Sequence, residues 1–164
     1  MTRILGIDPG SLFTGFGLVE KQGQRLVHLA SGRIKVQGPL EGRLLTIFQE
    51  LNRLINEFRP TDCALEKIFH AKNAQSSLVL GHARGVALLA AAQGGLKLHE
   101  YAPTEIKNAL VGQGRADKAQ VQAMVKILLN LKEAQMSEDE SDALAAAICH
   151  AHAFPLKAAA GGRG

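Results

Sequence analysis

The chain has 164 residues, with 19 Lys and Arg against 15 Asp and Glu, a formal charge of +4 with histidines neutral. That length corresponds to one domain and suffices for a hydrophobic core without disulfides or a structural metal. A composition of 46% apolar and 21% charged residues excludes a disordered chain. There is no Trp and aromatics are only 4%, so the core is built from Leu, Ile, Val and Ala. The mild basic excess permits a nucleic-acid partner without demonstrating one. Cys63 and Cys149 lie in apolar surroundings with no C-x-x-C spacing, the pattern of buried free thiols in a reducing compartment. Met1-Thr2-Arg3 runs straight into an apolar segment, so no signal peptide is expected. The longest mostly apolar run, Leu78 to Ala92, carries His82 and Arg84 and is too short and too charged to span a bilayer. A soluble cytoplasmic protein is expected.

Ile4 to Ile7 is an unbroken apolar run closed by Asp8-Pro9-Gly10, as in a strand buried on both faces. Phe13 to Val19, with Gly15 and Gly17 interleaved, and Leu26 to Val36 follow across a Gln22-Gly23-Gln24 turn, so three antiparallel strands open the chain. Pro39 begins a helix whose apolar face is Leu44, Phe48, Leu51, Ile55 and Phe58, ending at Arg59-Pro60. Cys63 to Leu65 is a short strand ending in Glu66, and Asn73 caps a helix running to about Gln93. In that helix His82 reads as a packing residue, and Gly81 and Gly85 make a face that another backbone can approach. Leu96 to Tyr101 is a last strand, and the chain is helical after Pro103 until Gly112-Gln113-Gly114. A helix from Asp117 to about Leu131 carries Val121, Met124, Val125 and Leu128 on one side. Ser137 and Glu140 form a capping box for a final helix from about Glu138, which Pro155 stops. Strands first, then strands alternating with helices, predict an α/β protein with a mixed sheet and helices on both faces.

The chemistry-bearing pattern is a set of carboxylates at the ends of apolar segments. Asp8 closes the first strand and Glu66 the fourth, while Asp139 and Asp142 share one face of the last helix's first turn. Each has an ordinary alternative: a solvated turn residue or cap behind a strand, or an acid that complements the helix dipole. An acid directly behind a buried strand, however, sits where open α/β sheets place ligands. If these acids converge, they repel one another and favour a cation, and hard oxygen donors would then suit Mg²⁺ or Mn²⁺ rather than zinc.

Ile4-Leu5-Gly6-Ile7-Asp8-Pro9-Gly10-Ser11 with Thr14-Gly15-Phe16-Gly17 resembles the N-terminus of RuvC-type Holliday-junction resolvases. The stretches Glu66–Ala74 and Gly81–Val86, the run from Val111 to Val121, and Asp139 with Ser141–Ala147 are similar in the family's order, over residues 3 to about 152. The resemblance implies a ribonuclease-H-like fold with a mixed five-stranded sheet, a homodimer, and crossover junction endodeoxyribonuclease activity on four-way DNA. It implies Mg²⁺, with Mn²⁺ as a substitute, two ions per active site, and paired symmetric nicks leaving 5′-phosphate and 3′-hydroxyl ends. It also implies a branch-migration motor as partner. The implied catalytic and metal-binding tetrad falls on Asp8, Glu66, Asp139 and Asp142; because its strand is central, Asp8 is assigned here to the position between the ions. Residues 1–154 form the nuclease domain and 155–164 a flexible tail.

For DNA contact the resemblance favours Phe69 as an aromatic that stacks on an unpaired base, where the bare sequence offers a hydrophobic staple instead. Lys72, Lys107, Arg115 and Lys118 are the expected phosphate contacts; a solvated helix face is the alternative, evenly balanced for Arg115. His70 is not a position that the family's pattern fixes. Cys149, His150 and His152 invite a zinc site, but Cys149 and His150 fall on different helix faces and no fourth ligand is evident. The Gly81/Gly85 face is the expected dimer contact, with packing on the protein's own sheet as the alternative. Asp8-Pro9-Gly10 followed by Thr14-Gly15-Phe16-Gly17 also resembles the phosphate loop of actin-like ATPases and sugar kinases, but these need a second lobe. A junction-binding module without catalysis is the other rival, and the presence of all four acids argues against it.

Overall fold

The computed structural model describes residues 1–68 and 73–160, with side chains through Ala153. The predicted antiparallel trio is present as β1 (Thr2–Asp8), β2 (Phe13–Gln22) and β3 (Arg25–Lys35). β4 (Asp62–Glu66) adds parallel to β1 and β5 (Lys97–Tyr101) parallel to β4, in the order β3-β2-β1-β4-β5. Alternation along β1 divides its side chains between two cores: Leu5 and Ile7 face one side, Ile4 the other.

Helices α1 (Leu40–Phe58) and α2 (Ala74–Gln93) cover the Leu5/Ile7 face. α1 buries Ile47, Leu51, Leu54 and Ile55, so its inward stripe is rotated from the predicted one and leaves Leu44, Phe48 and Phe58 only half-buried. Arg59, squeezed by Pro60, takes a left-handed conformation and donates its N–H to Ile55 O at 2.9 Å. α2 begins where predicted, Asn73 accepting from Ser76 N at 2.8 Å. Its packed face is Ala83, Ala87, Ala90 and Ala91; Gly81 and Gly85 look into open space, and His82 is exposed rather than packed.

α3 (Pro103–Val111), α4 (Lys118–Leu128) and α5 (Glu138–Ala160) form the second layer. Asp117 caps α4 through a box with Gln120, and the helix ends at Leu128, slightly short of the predicted Leu131. α5 runs past Pro155, where the sequence predicts its end. A proline within a helix removes the bond to the carbonyl four residues earlier. Here that carbonyl belongs to Ala151, and the Lys21 ammonium of β2 donates to it instead. No helix among the described residues is long and apolar enough to cross a membrane.

Candidate functional site

β1 and β4 are parallel neighbours, with Ile7 paired to Leu65, so Asp8 and Glu66 leave the sheet side by side at its carboxyl end. The turn behind Asp8 is held by the buried Thr14: its hydroxyl donates to Gly10 O at 3.2 Å and accepts from Gly10 N at 3.3 Å. Asp139 and Asp142 arrive from the other side, on the first turns of α5. Ser137 Oγ caps that helix by accepting from Glu140 N at 3.2 Å, and Ser31 of β3 donates to Glu140 Oε1 at 2.6 Å.

What lets α5 come close enough is the absence of side chains beneath it. A Cβ on Gly6 would collide with the carbonyl of Ala143, one on Gly15 with the carbonyl of Asp139, and one on Gly17 with the side chain of Leu144. In the β1/β2 register Gly6 lies opposite Gly17 and Asp8 opposite Gly15, so the glycines open one continuous groove beside Asp8. The helix backbone rests on the strand backbone along that groove.

The four acids share one electrostatic field. The Asp8 carboxyl is pushed up to about 7, first by burial and then by the charges of Asp142, Asp139 and Glu66, with Lys118 opposing. Glu66 is raised by burial and by Asp142, against Lys107, Lys118 and Arg84. Asp142 is raised by burial, with Glu138 and Asp139 adding to it and Lys118 opposing. Asp139 Oδ2 lies 3.9 Å from Arg33, whose guanidinium sits 4.3 Å over the Phe13 ring. The acids are close enough for their charges to act on Asp8, yet they do not form a closed ligand cage. Among the described residues, the His, Cys, Asp and Glu side chains whose ligating atoms all fall within 4.8 Å of one another are Asp62, His99 and His150, elsewhere in the fold.

Two clefts open on the acids. One, of about 360 Å³, is lined by Asp8, Glu66, Lys67 and Arg84 among others; a second, of about 280 Å³, includes Glu66, Lys107, Lys118 and Asp142. An oxygen-only donor set open to a cleft, with Asp8, Glu66 and Asp142 raised by burial and mutual repulsion, fits a hard divalent cation. Of the expected basic residues, Lys107 and Lys118 therefore stand at the site; Lys118 also pairs with Glu138 at 3.3 Å. Arg115 is exposed on the turn between α3 and α4. Phe69, His70 and Lys72 lie outside the described residues.

Two basic residues at the site carry no signal of their own in the sequence. Arg84 donates to the carbonyl of Glu66 at 2.9 Å and pairs with Glu100, so it holds the end of β4; only the Gly81–Val86 motif hints at it. Arg33 reaches Asp139 from a strand that nothing in the pattern marks. The zinc set suggested by Cys149, His150 and His152 does not assemble. Cys149 packs into the core and His152 Nδ1 bonds the Ala109 carbonyl at 3.1 Å.

A mixed five-stranded sheet in this order, with acids at its carboxyl end and a last helix laid across it, defines a ribonuclease-H-like protein with a carboxylate site. The family model described as Crossover junction endodeoxyribonuclease RuvC matches residues 4–150, and the chain belongs to that family. A relative of that name from Syntrophotalea carbinolica is 56% identical over 156 residues, covering 94% of this chain and 96% of its own. Another from Citrifermentans bemidjiense is 54% identical over 157 residues, covering 94% and 95%. Among solved structures, T. thermophilus RuvC in complex with a Holliday junction substrate superposes with a TM-score of 0.91 at 32% identity, over 96% of this chain and 97% of that one.

Proposed function

We propose that this protein is a structure-selective endonuclease that resolves four-way DNA junctions by paired symmetric nicks during recombination and repair. The observation that carries the proposal is that Asp8 and Glu66 leave paired strands at the carboxyl end of the sheet beside Asp139 and Asp142 of α5, near enough for their charges to act on Asp8. The solved relative bound to a Holliday junction supports the same substrate.

Asp8, between the acids of β4 and α5, would take the shared metal-binding position, Glu66 and Asp142 would each hold one side, and Asp139 would complete the set. Two bound Mg²⁺ ions, or Mn²⁺, would supply an activated water and a stabilised leaving oxygen for an in-line displacement that yields 5′-phosphate and 3′-hydroxyl ends. The protein's own contribution is positional. The glycine groove fixes α5 on the sheet, Arg84 fixes the β4 terminus and Thr14 fixes the turn behind Asp8. Lys107 and Lys118 offset the acids' charge and meet the phosphodiester beside the cleavage position.

Arg115 and Lys72 extend the phosphate contacts, and Phe69 stacks on an unpaired base at the junction. A homodimer supplies two equivalent sites for the two cuts, through the α2 face where Gly81 and Gly85 lie open and Leu78 and Leu89 are exposed. A branch-migration motor is the functional partner and the cytoplasm the compartment. Residues 1–154 carry the activity. The deciding experiment is a nicking assay on a synthetic four-way junction against linear duplex, with and without Mg²⁺. Symmetric nicks confined to the junction and lost with the metal are expected, and each acid replaced in turn should remove them. Junction binding without cleavage by the native chain would leave only a recognition module.

A further inference from the structure

A second cluster of metal-ligating side chains lies at the opposite end of β4. Asp62 begins the strand that Glu66 ends, about 13 Å away at the rise of a strand. His99 comes from β5 and His150 from α5, about two turns beyond Asp142. His99 Nε2 lies 3.0 Å and His150 Nε2 3.3 Å from the same oxygen, Asp62 Oδ1. The two imidazoles stack with centroids 4.0 Å apart.

From this convergence we infer that Asp62, His99 and His150 form a transition-metal site, selective for Zn²⁺, that braces α5 against β4 and β5. The two donor separations from Asp62 fit it. Four-coordinate zinc with bonds near 2.0–2.1 Å sets its ligand atoms about 3.3 Å apart, and the two separations from Asp62 Oδ1 come close to that edge. The supporting contacts fit as well. Tyr101 Oη lies 2.6 Å from His150 Nδ1, so with Nε2 on a metal the other ring nitrogen donates to the tyrosine oxygen. Thr61 Oγ1 donates to Asp62 Oδ2 at 2.6 Å and leaves Oδ1 for the ion. Ligating His and carboxylate groups are usually oriented by outer partners of this kind.

Although burial raises it, the Asp62 carboxyl is held below its ordinary range by hydrogen bonds from Thr61 and His99 and by the adjacent His150. The carboxylate is therefore the form present at neutral pH. Asp62 and His150 are buried, while the His99 side chain is 26% exposed, which gives an ion and a fourth, water ligand a way in. Two nitrogen donors separate this set from the all-oxygen acids at the far end of the sheet, which favour Mg²⁺. The inference stands independently of the nuclease proposal.

The test uses the full chain stripped with a chelator and titrated with Zn²⁺ in competition with a chromophoric chelator, and separately with Co²⁺. One equivalent of Zn²⁺ is expected, with a rise in melting temperature and the intense visible absorption of tetrahedral Co²⁺. His99→Phe, which keeps an aromatic ring on the strand, should abolish all three effects, whereas Asp8→Asn should leave them. Tyr101→Phe keeps the ligands and should weaken Zn²⁺ by about tenfold or more; it decides the matter should His99→Phe fail to fold. No Zn²⁺ uptake by the native chain, uptake unchanged in a folded His99→Phe protein, or octahedral Co²⁺ absorption overturns the inference. With His99→Phe unfolded, unchanged affinity in Tyr101→Phe does the same.

Discussion

Gly15 of β2 lies directly beneath the backbone carbonyl of Asp139, so that any side chain at position 15 would occupy the space the carbonyl fills. The two residues are far apart in sequence, yet the missing methyl group sets how near the acids of α5 come to Asp8. Gly15→Ala is expected to cost about 1–3 kcal/mol by overpacking. Because α5 would have to lift, it should also cut junction cleavage by about 10–100-fold. Gly42→Ala in α1, where an added methyl meets open space, is the control and should be neutral or stabilising by about 0.5–1 kcal/mol. Thermal melts and single-turnover cleavage of the two variants check both statements.

Asp8 makes stability depend on pH in a direction opposite to that of a salt-bridged acid. Its folded pKa is about 7 against an ordinary 3.8. The folded state therefore keeps a proton that the unfolded chain gives up, and the associated stability is fully present below about pH 4 and lost as pH rises through about 7. In chelator, Asp8→Asn should be more stable than the native chain at pH 8 by about 2–4 kcal/mol, and the gap should close toward pH 4. Urea melts of both proteins across that range measure it. A constant gap would show that Asp8 is not the titrating group.

Asp142→Asn and Glu66→Gln remove negative charge from a surface that has to receive a phosphodiester. Both should abolish cleavage while junction affinity stays the same or tightens; the gain is limited because each side chain raises the pKa of Asp8, so its loss lets Asp8 ionise further. Gel-shift titration beside the nicking assay separates the two effects.

Lys118 acts on both substrate and acids. It opposes the upward shifts of Asp8, Glu66 and Asp142. In Lys118→Ala these carboxyls should titrate higher, and the rising limb of the pH–rate profile should move to higher pH. If the lysine also meets a phosphate, the slope of log affinity against log salt should flatten by about one unit. The same flattening is expected of Lys107→Ala. A pH shift without a slope change would assign Lys118 to the acids alone.

Much of this protein was legible in its linear order. Apolar runs, caps and prolines are local signals, so the three opening strands, the Asn73 cap, the helix that starts at Asp117 and the start of the last helix are found where the sequence predicts them. Asp8 and Glu66 could be placed at strand ends by the same logic, and the family motifs tied Asp139 and Asp142 to them. Local signals misled where packing decides. The buried stripe of α1 turned toward Ile47 and Leu54, and α5 continued through Pro155 because Lys21 of a distant strand takes the carbonyl that proline abandons.

Only the tertiary structure decided what meets across the chain. Gly6, Gly15 and Gly17 read as interruptions in apolar strands until α5 is seen lying on them. Arg33 reaches Asp139 from a strand that carries no mark of that role, and Arg84, hinted at only by its motif, holds the Glu66 carbonyl. Asp62, His99 and His150 share no motif, and the sequence paired His150 with its own neighbours instead. Periodicity records which way a side chain faces, because that depends on the backbone a few residues either side. Which distant side chain it then faces depends on strand register and on how closely helix and sheet approach, and those are set by packing over the whole fold.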